Sequence, residues 1–100
     1  LRQKYFSRAK FLVNLLNQEL EWEVEMPKAG MFIWAKIPEH LFAKTHTKTS
    51  FDFCKTLIAK TGVALSAGSS FGSNGEGYVR FSLIREEEEM IEAVKRIKNL

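Results

Sequence analysis

The stretch that most constrains this 100-residue chain is a glycine-dense loop that runs directly into an alternating strand. Gly68, Gly72, Gly75 and Gly77, four of the six glycines, fall between positions 68 and 77. Tyr78-Val-Arg-Phe-Ser-Leu83 follows, with Val79, Phe81 and Leu83 on one face and Tyr78, Arg80 and Ser82 on the other. Glycine admits φ > 0 and lets other groups approach the backbone closely. An arginine in mid-strand is costly to bury without a partner. Its flat guanidinium fork matches a carboxylate in two parallel hydrogen bonds. That carboxylate is either internal, with Glu76 nearest in sequence, or a ligand's, and the residues alone leave both open. The loop admits three readings: a phosphate cradle, a shaped wall beside a ligand or partner, or a plain connection. It lacks a Gly-Lys-Ser/Thr ending and opens a strand rather than a helix, which disfavours the cradle.

The rest of the chain supplies a frame for this stretch. Tyr5, Phe6, Ala9, Leu12, Val13, Leu16 and Leu20 recur at three-and-four spacing, which predicts a helix over 4–20 with Arg8 on the polar side. Trp22, Val24 and Met26 alternate with glutamates, the pattern of a half-buried strand. After the Pro27–Gly30 turn, Met31–Ile37 is almost continuously apolar and reads as a second strand, buried on both faces and antiparallel to the first. A turn of helix is expected at His40–Ala43, and a helix over 51–60, capped by Ser50, with Phe53, Cys54, Leu57 and Ile58 inward and Gly62 behind it. Val63–Ser66 reads as a short strand. Glu86–Glu89 open a last helix, with Met90, Ile91, Val94 and Ile97 as its buried stripe. The order is α-β-β-α-β-β-α. The class is α+β, a two-layer single domain over 1–100 with a mainly antiparallel sheet and helices on one face. The sheet face bearing Arg80 then needs cover from elsewhere.

Composition narrows the function classes. The net charge of +3 comes from basic residues spread along the chain, so no nucleic-acid stripe is evident. No apolar run reaches the length of a membrane span, and there is no signal-peptide pattern. A single cysteine, Cys54, excludes an internal disulfide and fits a reducing, cytoplasmic compartment. His40, His46 and Cys54 lack zinc spacing and support neither a metal site nor a Cys/His nucleophile. The tryptophans and phenylalanines read as core, with Trp34 and Phe32 as candidates for a cleft. Leu1 is not a natural start, which predicts a piece of something longer.

Taken together, several blocks resemble a known family. Pro27-x-Ala-Gly30-Met-Phe-x-Trp34, Gly62-Val63, Gly68-Ser69-x-Phe71-Gly72 and Gly75-Glu-Gly-Tyr-Val-Arg80-x-Ser82 are similar, in order and spacing, to the C-terminal small domain of class I and II (fold type I) pyridoxal-phosphate aminotransferases. The resemblance covers essentially the whole chain. It implies that Arg80 grips the α-carboxylate of the substrate. It also implies that Ala29, Gly30, Phe32, Gly68 and Ser69 face the cleft, and that the domain closes over the active site. Two positions depart from the family pattern: Ala67 stands where proline is frequent, and Phe81 where isoleucine or leucine is usual. The lysine that holds pyridoxal phosphate, the phosphate cup and the carboxylate facing the ring nitrogen belong to the family's large domain, which is absent here. The resemblance therefore implies no catalytic or cofactor-binding residue in this chain, which is expected to be inactive alone. Its implied partners are amino-acid and 2-oxo-acid substrates, the large domain and, for the parent enzyme, a second subunit. The competing readings are a small RNA-binding module and an interaction domain using its open sheet face.

Overall fold

The computed structural model describes residues 2–27 and 30–100, with the Arg2 and Gln3 side chains left aside. Among these residues, four helices and a three-stranded sheet are formed. In chain order they are α1 (Arg2–Glu19), β1 (Phe32–Lys36), α2 (Glu39–Thr45), α3 (Ser50–Thr61), β2 (Ser66–Ala67), β3 (Tyr78–Ser82) and α4 (Glu87–Lys98). Two short 3-10 turns, Gly68–Phe71 and Ser73–Gly75, occupy the glycine-rich loop. The two-layer α+β class expected from the sequence is the one observed. The order of elements is α-β-α-α-β-β-α, one strand fewer and one helix more than the pattern suggested.

The sheet is antiparallel in the order β1-β3-β2, so the strand carrying Arg80 is central. Trp34 and Ser66 flank Arg80 in register, and Ala35 and Ala67 flank Val79. Two further backbone bonds, Ile37 N–H to Gly77 O and Leu83 N–H to Met31 O, both 2.8 Å, extend the β1–β3 ladder at either end. Ile33, Ala35, Val79 and Phe81 point into the core, where Leu12, Leu16, Phe53, Leu57, Val94 and Ile97 of the helices meet them. The helices thus cover one face of the sheet and leave the other open.

The missing strand has a local cause. Glu21 takes φ 53°, which turns the chain out of helix α1 without starting extended pairing. Val24 then satisfies both backbone groups on the Asn17 side-chain amide, at 2.7 and 3.0 Å, rather than on a neighbouring strand. Trp22 donates its indole N–H to the Lys36 carbonyl and packs edge-on against Phe81. Trp22 and Val24 are buried as alternation requires, but the segment is an irregular extended strap.

Other details also differ. Thr49, not Ser50, caps α3, and its hydroxyl accepts the Asp52 N–H. The β2 strand is two residues at Ser66–Ala67, not the Val63–Ser66 run. β1 is buried on one face only, with Trp34 47% exposed. Phe6, Ile58 and Ile91, assigned inward by spacing, are exposed. Arg8, assigned outward, is buried, donating to Leu83 O at 2.9 Å and to Glu86 at 2.8 Å. Gly62 ends α3 at φ 78°, as its position predicts.

Candidate functional site

Side chains directly opposite each other in an antiparallel sheet share a face. The register therefore groups Phe32, Trp34, Lys36, Ser66, Tyr78, Arg80 and Ser82 on the open side. Arg80 sits at the middle of this group and is half-buried. Its guanidinium carbon lies over two rings, 3.9 Å from the Phe32 centroid and 4.1 Å from that of Phe71. Such cation–π stacking is worth about 0.5–2 kcal/mol per ring, depending on desolvation. No ion pair among the described residues involves Arg80. The rings hold the cation by stacking, and no described carboxylate neutralises its charge.

Glu76, the internal partner considered for Arg80, is engaged elsewhere. Its carboxylate accepts the Ser50 N–H at 2.8 Å and lies 3.3 Å from Ser50 Oγ. Ser50 Oγ is in turn 3.2 Å from Ser69 Oγ. The glycine-rich loop is thus pinned to the start of α3, and Ser69 faces that anchor.

The glycines at the loop's neck are required by contact. A Cβ on Gly68 would stand 2.2 Å from Gly75 O, and one on Gly75 would stand 2.1 Å from Gly68 O. Neither position has room for a side chain without moving backbone. From this neck the loop carries Phe71 back over the sheet, where it meets Trp34 edge-on at 5.5 Å between centroids. Trp34, Gly68, Phe71 and Tyr78 line a shallow hollow beside Arg80 with the loop residues 72–75.

Of the cleft residues implied by the resemblance, Phe32 lies against Arg80 and Gly68 lines the hollow. Ser69 is tied to Ser50 at its edge. Gly30 is exposed at φ 99°, ahead of β1 and outside the lining of the hollow. Ala29 lies outside the described residues. Phe71 was missed as a site residue. The signal for it was its place in the Gly68-Ser-x-Phe-Gly block, nine positions from the arginine it covers.

Cys54, His40 and His46 each sit in a defined local environment. Burial pushes the half-buried Cys54 thiol up to about 11, so it stays protonated and unreactive near neutrality. His40 Nε2 bonds the Leu20 carbonyl at 3.0 Å, and His46 ends α2 in a left-handed conformation. No group of three or more metal-ligating side chains occurs among the described residues. Among those residues, no helix is long and apolar enough to cross a membrane.

The chain is thus an α+β unit, an antiparallel sheet with helices behind it and, in front, a ring-stacked arginine with no ion-pair partner among the described residues. This chain belongs to the class I and II aminotransferases, whose family model matches residues 1–97. The glutamate-pyruvate aminotransferase AlaC of Escherichia coli K12 is 40% identical over 98 residues, which are 98% of this chain and 23% of that protein. The substrate-bound BacF structure from Bacillus subtilis superposes with a TM-score of 0.87 at 34% identity, over 97% of this chain and 23% of that one. A PLP-bound structure from Clostridium difficile 630 matches 93% of this chain and 23% of its own at 29% identity, with a TM-score of 0.75. The chain therefore spans about a quarter of the length of the proteins it matches. Pyridoxal phosphate is the cofactor of this family.

Proposed function

We propose that this chain is the substrate-gripping small domain of a pyridoxal-phosphate aminotransferase, and that Arg80 binds the α-carboxylate of the amino-acid or 2-oxo-acid substrate. The observation that carries the reading is the state of Arg80. It is fixed on the central strand, stacked on Phe32 and Phe71, and without an ion-pair partner among the described residues. A guanidinium whose faces are taken up by rings presents its N–H edge, and that edge receives a carboxylate in two parallel bonds. Each charge-assisted bond contributes about 1.5–3 kcal/mol. Two of them together orient the substrate for reaction.

In this reading the cofactor's own anchors belong to the large domain. Phe32, Trp34, Lys36, Ser66, Tyr78, Arg80 and Ser82 include no carboxylate to meet a pyridine nitrogen. Pyridoxal phosphate supplies electron withdrawal at the substrate's Cα when bound, and in this reading it is held by the large domain. The residues of this chain bind, orient and cover. Movement toward the large domain would exclude water from the cleft. The parent enzyme is read as a cytoplasmic homodimer that transfers an amino group between an amino acid and a 2-oxo acid.

The test is steady-state kinetics of the full-length enzyme with Arg80→Ala and Arg80→Lys. Loss of two charged bonds predicts that kcat/KM for the amino donor falls about 10²- to 10⁴-fold in R80A. R80K keeps the charge without the fork and recovers only part of the loss. Near-normal kinetics in R80A would refute the carboxylate role.

A further inference from the structure

The Glu76 carboxylate is not paired with Arg80, yet it holds the foot of the loop that carries Phe71 over the arginine. It follows Gly75, one half of the loop's backbone neck, and precedes Gly77 and the first residue of β3. One of its oxygens accepts the N–H of Ser50 at 2.8 Å, and the other lies 3.3 Å from Ser50 Oγ. Ser50 is buried, and its hydroxyl reaches Ser69, on the opposite side of the neck, at 3.2 Å. A negative carboxylate at the first N–H of a twelve-residue helix is favoured by the helix dipole as well as by the bond itself. No ion pair among the described residues competes for Glu76. Phe71, the ring over Arg80, is carried by the loop that this contact closes.

We propose that Glu76 is a positioning residue: it clamps both sides of the glycine-rich loop's neck to the start of α3 and thereby seats Phe71 on Arg80. A loop released at the neck gains conformational freedom that must be lost again before the ring can cover the cation. The guanidinium then has more than one orientation to offer a carboxylate. The kinetic consequence rests on the carboxylate reading of Arg80; the clamp itself does not.

The experiment uses the full-length enzyme with Glu76→Ala, Glu76→Gln, Phe71→Ala, F71A/E76A and R80A. Two quantities are read. One is amide hydrogen exchange in peptides covering 68–77, with a peptide from α1 as reference. The other is KM and kcat for the best amino donor among L-alanine, L-glutamate, L-aspartate and L-phenylalanine. E76A is expected to speed exchange in 68–77 about tenfold or more, with α1 unchanged. KM should rise at least about fivefold while kcat stays within about twofold. E76Q, which keeps an acceptor for the Ser50 N–H, should recover most of both. F71A should raise KM by itself, and F71A/E76A should be no worse than F71A, because the clamp acts through the ring. Unchanged exchange in E76A, or independent multiplication of the F71A and E76A effects, overturns the proposal. Faster exchange with a normal KM in E76A, against a raised KM in R80A, overturns the positioning role. Faster exchange with normal KM values in both E76A and R80A overturns the carboxylate reading instead.

Discussion

Substituting Gly68 by alanine tests how tightly the loop is closed. The added Cβ would lie 2.2 Å from Gly75 O and 2.8 Å from Tyr78 O, both backbone atoms that cannot swing away as a side-chain tip would. Ordinary contact begins near 3.4 Å, so the Gly75 carbonyl must retreat by about 1.2 Å. Forcing an extra methyl into a closed site costs about 1–3 kcal/mol. Here the strain also pulls on the two-residue β2 ladder, which ends at the preceding residue, Ala67. A loss of about 2 kcal/mol lowers a urea midpoint by about 1 M for a domain of this size. Equilibrium urea unfolding followed by circular dichroism is the assay, with Ser70→Ala, at an exposed position of the same turn, as control. The control should stay within about 0.5 kcal/mol of the parent. Gly75→Ala meets the same contact from the other side, 2.1 Å from Gly68 O, so the double variant should cost less than the sum of the two. A G68A midpoint equal to the parent's, or full additivity with G75A, would show that the neck is not closed by backbone contact.

Two further outcomes follow from buried groups. Arg8→Met keeps the aliphatic stem but leaves the Leu83 carbonyl without its buried donor and Glu86 without its cation, for an expected loss of about 2–3 kcal/mol in the same assay. A change under about 0.5 kcal/mol would mean that water or a neighbour takes over the carbonyl. The Cys54 thiol titrates at about 11 when folded against 9.0 when free, so the folded state holds a proton that the unfolded state has lost. Stability should therefore be unaffected by this group below about pH 9 and fall as pH rises toward about 11, a slope that Cys54→Ala removes. Identical pH profiles for the two proteins would contradict that burial.

Where periodicity governs packing, the sequence was legible. The α1, α3, α4 and β3 segments were placed within a few residues by apolar spacing, and Gly62 by the left-handed turn that a helix end needs. Legibility failed where a side chain took a role that spacing assigns to backbone. Alternation over Trp22–Met26 looked like a strand, but Asn17 and the Lys36 carbonyl satisfy that segment in place of a sheet neighbour. Thr49 and Ser50 are both able to cap a helix; the structure gives the cap to Thr49 and turns the Ser50 hydroxyl toward Glu76 and Ser69. Trp34 read as a residue of a doubly buried strand because nothing in its neighbours announces that no helix covers that face. Arg80 was legible as a mid-strand cation on the face away from the core. Its stacking on Phe71 was not, since it depends on the path of a loop whose shape is set by contacts remote in sequence.

The order β1-β3-β2 separates two properties that an enzyme lineage can change independently. The arginine is built into a strand laddered on both flanks, so its location is inherited with the frame. One of the two rings on it, Phe71, hangs from a neck closed by Gly68, Gly75 and Glu76, and residues 72–74 form the outer rim of that loop. Exchanging those three residues would alter the lining of the hollow while leaving Phe71 on Arg80.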